Sequence, residues 1–222
     1  MNRDENAPTV GVVRYGAGNV GNVIRALKKL DMRHALLEDP QSLAATQPSL
    51  LLLPGVGAFR PAAERLRRSG WSDALCDWVR KERPLVGICV GMQLLCTSSD
   101  EDGRTDGLGF LAGRVARFAG IAKIPHMGWN DVVWTGDAPC YAREADARAF
   151  YFVHSYAVSE SPHCIARTEV DGVSFCSAMR NGNVLGFQFH PERSGPEGIA
   201  FLGSILRGLL RTDDITKERG TC

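Results

Sequence analysis

The segment Pro84-Leu85-Val86-Gly87-Ile88 runs directly into Cys89-Val90-Gly91-Met92-Gln93. This junction constrains the fold more than any other part of the chain. Pro84 to Ile88 is apolar throughout, as a strand buried on both faces must be. Met92 to Cys96 reads as the start of a helix. Glycines at the second position on each side of Cys89 permit a sharp strand-to-helix turn that lifts a side chain above the sheet edge. A strand buried on both faces needs cover on both, so the chain is expected to be α/β.

The flanking sequence repeats the alternation. Thr9 to Val13, Arg33 to Glu38 and Leu50 to Leu53 read as strands, the last halted by Pro54-Gly55-Val56-Gly57. A helix is expected from Val20 to Leu30, and an amphipathic stretch from Ala62 to Lys81 with a break near Ser69-Gly70. After Gly109 the pattern changes to short β-like runs: Arg114 to Phe118, Asp131 to Trp134, Ala149 to Val153, Cys164 to Glu169, Val173 to Met179 and Val184 to Phe189. Asp171-Gly172 and Asn181-Gly182 supply hairpin turns. A last helix is expected over Gly198 to Leu210, followed by a polar, frayed tail from Arg211 to Cys222. The expectation is a doubly wound, mostly parallel sheet flanked by helices, with additional antiparallel strands in the C-terminal half. The 222 residues form a single domain with a core over about 9–211.

Composition excludes several functions. A formal net charge of +1 gives no electrostatic footprint for nucleic acid or an anionic membrane. No apolar run is long enough to span a bilayer. Met1 to Thr9 lacks the apolar stretch of a signal peptide, so a cytoplasmic location is expected. Seven cysteines at irregular spacings include no C-x-x-C pair, and no histidine cluster has ligand spacing, so neither a metal nor a cofactor is expected. Most of the cysteines read as small buried hydrophobes, and His34 and His163 as packing or surface residues.

Cys89 is the exception. A thiol at the N-terminus of a helix favours its thiolate, the nucleophilic form. The run Val184 to Phe189 ends in His190-Pro191-Glu192, and open α/β sheets place their sites at such strand ends. His190 suits a general base toward Cys89, with Glu192 holding the imidazole tautomer. The backbone of Gly55, Val56 and Gly57, with the N–H of Val90, suits an oxyanion hole. Taken singly, each motif also fits a plain reading: a buried structural cysteine, a surface His-Glu pair, an ordinary turn.

Together they resemble the class I, triad-type glutamine amidotransferases, through Gly87-Ile88-Cys89-Val90-Gly91-Met92-Gln93 and Gln188-Phe189-His190-Pro191-Glu192. Tyr15-Gly16-Ala17-Gly18-Asn19, Leu53-Pro54-Gly55-Val56-Gly57-Ala58-Phe59, Pro125-His126-Met127-Gly128-Trp129-Asn130 and Phe152-Val153-His154-Ser155-Tyr156 are similar to one branch. That branch comprises the glutaminase subunits of imidazole glycerol phosphate synthases. The resemblance implies a Cys89, His190 and Glu192 triad, and glutamine held by Gln93, Glu101, Ser155 and Tyr156. It also implies a heterodimer with a (β/α)8-barrel cyclase that receives ammonia, faced by Asn19, Asn22, Trp129, Tyr151 and Arg193. The cyclase product pair would be imidazole glycerol phosphate and an aminoimidazole carboxamide ribotide, in histidine biosynthesis. Arg14, Gly21, Asn22 and Arg193 depart from the commonest residues at their places. The alternatives are a paralogous amidotransferase feeding surface-sugar biosynthesis, another glutaminase subunit such as that of anthranilate synthase, a cysteine peptidase, or a non-enzymatic protein on this fold.

Overall fold

The structure is a computed structural model that describes residues 7–16, 18–135, 142 and 149–219, the side chains of 212–219 excepted. The first half alternates strand and helix: β1 (Val10–Val13), α1 (Val20–Lys29), β2 (His34–Leu37), α2 (Ser42–Thr46), β3 (Leu50–Gly55), α3 (Phe59–Arg68), α4 (Trp71–Arg80), β4 (Leu85–Cys89) and α5 (Val90–Leu95). The second half is mostly strand. It comprises β5 (Cys96–Ser99), β6 (Thr105–Asp106), β7 (Leu111–Arg117), β8 (His126–Asp131), β9 (Val133–Trp134), β10 (Ala149–His154), β11 (Tyr156–Val158), β12 (Cys164–Val170), β13 (Val173–Asn181) and β14 (Val184–Phe187). A 3-10 turn, Pro191–Arg193, leads into the last helix, α6 (Gly195–Arg219).

The main sheet runs β2-β1-β3-β4-β14-β13-β12-β9. β2, β1, β3, β4 and β14 are mutually parallel, and β13, β12 and β9 continue the sheet antiparallel. Every residue of β1, β3, β4 and β14 is buried, the signature of strands covered on both faces. A two-stranded sheet (β10-β8) and a four-stranded sheet (β11-β7-β5-β6) sit beside it. Phe150 stacks on Phe189 at 4.1 Å, and Phe152, Phe187 and Phe201 close around them. That aromatic cluster fixes β10 against the outlet of β14, where the His-Pro-Glu segment emerges.

Several boundaries differ from the sequence expectation. β3 does not stop at Pro54. It pairs onward through Pro54 with Ile88 and Gly55 with Cys89, because at Gly55 only hydrogen can face the neighbouring backbone. The second hairpin turn centres on Gly182-Asn183, one residue later than expected, since Asn181 pairs with Val184. Gly182 takes the positive φ (56°) there, and a glycine first in the loop is what a type II′ turn requires. His126–Asp131 forms a strand, and the run expected over Asp131 to Trp134 is split between its last residue and a separate short strand, Val133–Trp134. The last helix begins at Gly195 and continues to Arg219, through most of the tail expected to be frayed, because no Gly or Pro interrupts the chain between Gly208 and Gly220. Cys140 and Cys222 lie outside the described residues.

Candidate active site

The C-terminal ends of β3, β4 and β14 lie side by side, with β4 in the middle. β4 passes into α5 with no intervening loop, and the turn is made at Cys89, where φ is 56° and ψ is −114°. A non-glycine residue with positive φ stores strain of about 1–3 kcal/mol. The surroundings enforce it through backbone-to-backbone packing. A Cβ on Gly87 would stand 2.7 Å from the Met92 nitrogen, and one on Gly91 would fall onto the Leu53 carbonyl oxygen. A Cβ on Gly55 would stand 2.8 Å from the Val90 carbonyl carbon. Three glycines therefore let β3, β4 and α5 close upon one another, and the cysteine is what the closure leaves at the bend.

His190 follows β14 by three residues and is itself sealed, with 1% of its surface exposed. Its backbone N–H donates to the Tyr151 carbonyl at 2.9 Å, while Ser194 Oγ donates to the His190 carbonyl at 2.7 Å and accepts from the Tyr151 N–H at 2.9 Å. The ring is held from behind: Nδ1 lies 2.8 Å from Glu192 Oε1. Nε2, the opposite nitrogen, is buried and has no hydrogen-bond partner. Burial alone would pull the imidazole below its ordinary value. The Cys89 sulfur and Glu192 outweigh burial and push it up to about 10. The sulfur thus acts on the ring without a hydrogen bond closing in strict donor–acceptor geometry, as is common in unliganded sites.

A cavity of about 340 Å³ opens over the sulfur. Its walls include Val56, Gly57, Val90, Gln93, Glu101, Ser155, Tyr156 and His190, so most residues expected to bind substrate or an oxyanion meet in one place. Gly55 lies behind the wall, in contact with α5 rather than the opening. Gly57 has φ of 88° and open space around it. Gln93 and Glu101 are partly committed to protein partners. Gln93 Nε2 donates to the Tyr156 carbonyl and to Gln188 Oε1, both at 3.0 Å, leaving its Oε1 for a ligand donor such as an ammonium. Glu101 Oε2 accepts from the Phe59 N–H at 2.7 Å at the start of α3. The Tyr156 carbonyl already accepts two bonds, from Gln93 and His154, while the Ser155 carbonyl accepts one, from the Phe118 N–H at 3.1 Å, and keeps a second lone pair.

Beside the cavity is a face that carries the expected partner residues. Trp129 on β8 pairs across to Tyr151 on β10 and remains 58% exposed, next to Met127 at 60%. Arg193 lies over the Tyr151 ring at 4.3 Å. Asn19 caps α1 by accepting from the Asn22 N–H, and Asn22 in turn accepts from Arg25. Arg14 reaches Glu38 at 2.8 Å on the surface, away from the cavity. His34 and His163 are packing residues, bonded to the Met32 carbonyl and the Ala112 N–H. Among the described residues no cluster of three or more His, Cys, Asp or Glu fits a metal ion, and no helix is long and apolar enough to cross a membrane.

Sequence reasoning did not single out His126, His154 or Gln188 as parts of the site. His126 Nδ1 meets His154 Nε2 at 3.1 Å, and His154 Nδ1 donates to the Tyr156 carbonyl at 2.9 Å. Burial lowers both imidazoles, His154 to about 3, so the pair is neutral and its protons are fixed by the carbonyl at its end. Gln188 is fully buried and approaches the Cys89 sulfur. The signal available in sequence was their placement inside the motifs themselves.

The sequence profile of the family "Glutamine amidotransferase class-I" matches residues 12–206. The chain is 43% identical over 213 residues to an imidazole glycerol phosphate synthase subunit HisH of Desulfitobacterium hafniense, covering 95% of this chain and 99% of that protein. It is 39% identical over 209 residues to the HisH subunit of a Geobacillus species, covering 90% and 98%. In Arabidopsis thaliana, a chloroplastic imidazole glycerol phosphate synthase hisHF is 41% identical over 207 residues, which cover 90% of this chain and 34% of that protein. Among solved structures, PurLQS from Thermotoga maritima superimposes with a TM-score of 0.70 at 20% identity, over 91% of this chain and 99% of that one.

Proposed function

Because the chain belongs to the class-I glutamine amidotransferases, in the branch of the imidazole glycerol phosphate synthase HisH subunits, we propose that it hydrolyses glutamine through a thioester on Cys89 and hands the ammonia to a cyclase subunit. The observation that carries this reading is His190, buried beside the Cys89 sulfur and braced by Glu192 at 2.8 Å.

The Cys89 sulfur attacks the glutamine side-chain carbonyl carbon. The carbonyl oxygen becomes an oxyanion, for which the Val90 N–H and the backbone of Val56-Gly57, all on the cavity wall, would serve as donors; one such donor is worth roughly 2.7–4 kcal/mol. An imidazole raised to about 10 holds its proton at neutral pH. His190 therefore protonates the departing nitrogen, and the C–N bond breaks to release ammonia. The neutral ring then takes a proton from water, which attacks the thioester and frees glutamate and the thiol. Glu192 holds the ring with Nε2 toward the sulfur throughout. The uncommitted Gln93 Oε1 and the second oxygen of Glu101 suit the ammonium end of an amino acid.

The exposed Met127 and Trp129, with Tyr151, Arg193, Asn19 and Asn22, form the face for a (β/α)8-barrel cyclase. A dry passage into that partner keeps ammonia unprotonated and nucleophilic. The Arabidopsis relative supports this reading, since the region like this chain is there 34% of a longer protein that bears the synthase name.

The test is made on the complex. Cys89→Ala abolishes synthesis of imidazole glycerol phosphate from glutamine and leaves synthesis from ammonium salts intact. Loss of both would make Cys89 structural, and a complex that makes no such product would remove the histidine-pathway assignment.

A further inference from the structure

Gln188 has no role in the mechanism above, yet among the described residues it is the one whose side-chain amide reaches the Cys89 sulfur, with Nε2 at 3.8 Å. Which end of the amide faces the sulfur is fixed by a chain of hydrogen bonds that starts at a backbone carbonyl. The Tyr156 carbonyl can only accept, and it takes bonds from His154 Nδ1 at 2.9 Å and from Gln93 at 3.0 Å. Gln93 must therefore present its NH2 group. That same nitrogen lies 3.0 Å from Gln188, so Gln188 must present its oxygen to Gln93. The NH2 group of Gln188 is left, and it points at the sulfur.

Resting on the reading of Cys89 as the nucleophile, we propose that Gln188 is a further catalytic residue: its carboxamide N–H stabilises the sulfur as the thiolate before attack. Hydrogen bonding to the charged form of an acid favours that form. Gln188 is fully buried, so water has no access to the side of the sulfur that its amide faces. The other charged or titratable groups around the sulfur are His190 with Glu192 behind it, Tyr15 just past β1, and His154, Glu101, Tyr156 and Arg193 on the cavity wall. None of them offers an uncharged donor held in place from two sides. The string from the Tyr156 carbonyl through Gln93 gives Gln188 that rigidity, and His154 anchors its far end.

The experiment follows alkylation by iodoacetamide at residue 89 over a pH series, read by peptide mass spectrometry on the full chain. The unaltered chain should label first at Cys89. Gln188→Met, similar in length but without a donor, should move the alkylation profile of residue 89 to higher pH by about one unit, slowing labelling at neutral pH about tenfold. Gln188→Glu, of the same shape, should move it further, because its carboxylate faces the sulfur. It also serves if the Met variant fails to fold. An unchanged near-UV circular dichroism spectrum and retained binding to the cyclase mark a folded variant. If Cys89 of the unaltered chain shows no preferential labelling, the nucleophile reading falls and this one with it. If it labels and either folded variant keeps the original profile, only the role of Gln188 is overturned.

Discussion

His190 Nδ1 lies 2.8 Å from Glu192 Oε1, and both side chains are sealed from solvent. Glu192→Gln keeps the shape and an acceptor but removes the charge that supports an imidazolium. Glutamine turnover by the complex is expected to fall by about two orders of magnitude or more, with KM for glutamine little changed and ammonium-dependent synthesis untouched. Steady-state kinetics with each nitrogen source checks this.

The two kinds of buried histidine respond to pH in opposite directions. His190 is raised to about 10, so the stabilisation it gives is fully present below its unfolded value of about 6.5 and is lost as pH climbs toward 10. His154 is lowered to about 3. Below about 6.5 the unfolded chain takes up a proton that folded His154 refuses, so stability falls with acidification from there toward 3, by up to about 1.4 kcal/mol per pH unit. Urea midpoints across the pH range should show both flanks. NMR titration of the His190 ring should show its midpoint dropping in Cys89→Ala, because burial then acts with less opposition.

Two glycines of the site should behave differently on substitution. Gly91→Ala forces a methyl onto the Leu53 carbonyl, which belongs to the core strand β3 and cannot yield. Loss of soluble, folded protein is expected. Gly57→Ala meets nothing within 4 Å and pays only for its positive φ, about 1–2 kcal/mol. It should fold, with a melting temperature a few degrees lower and a turnover defect from the stiffened oxyanion segment. Thermal melts and glutaminase assays separate the two.

These contrasts mark what the sequence could convey. The elbow at Cys89 and the His190-Pro191-Glu192 segment were legible because their geometry is local: glycine spacing sets the bend, and the base and its brace stand two residues apart. The alternation of buried strands and amphipathic helices conveyed the sheet for the same reason. Contacts across the fold were not legible. Gln188 meets Cys89 across 99 positions and His126 meets His154 across 28, and no periodicity encodes such pairings. β8 hid because Gly128 and Asn130 are poor strand formers whose extended shape comes from pairing with β10. β3 outran Pro54 because close packing against α5, rather than propensity, decides where it ends.

Trp129 stands 58% exposed on the proposed docking face. Trp129→Ala should leave the melting temperature of the isolated chain nearly unchanged and weaken cyclase binding by about 2 kcal/mol or more, as for a central aromatic anchor. Calorimetric titration with the cyclase reads the loss directly. Equal affinity would move the interface elsewhere.

The proposed function turns on covalent attachment of the glutamyl group to the Cys89 sulfur. The complex is mixed with glutamine, quenched in acid during turnover, and the peptide bearing residue 89 is weighed. A γ-glutamyl thioester on Cys89 is expected to accumulate and then decay as glutamate forms. Glutamine consumption with that peptide unmodified, and still present in Cys89→Ala, would contradict it.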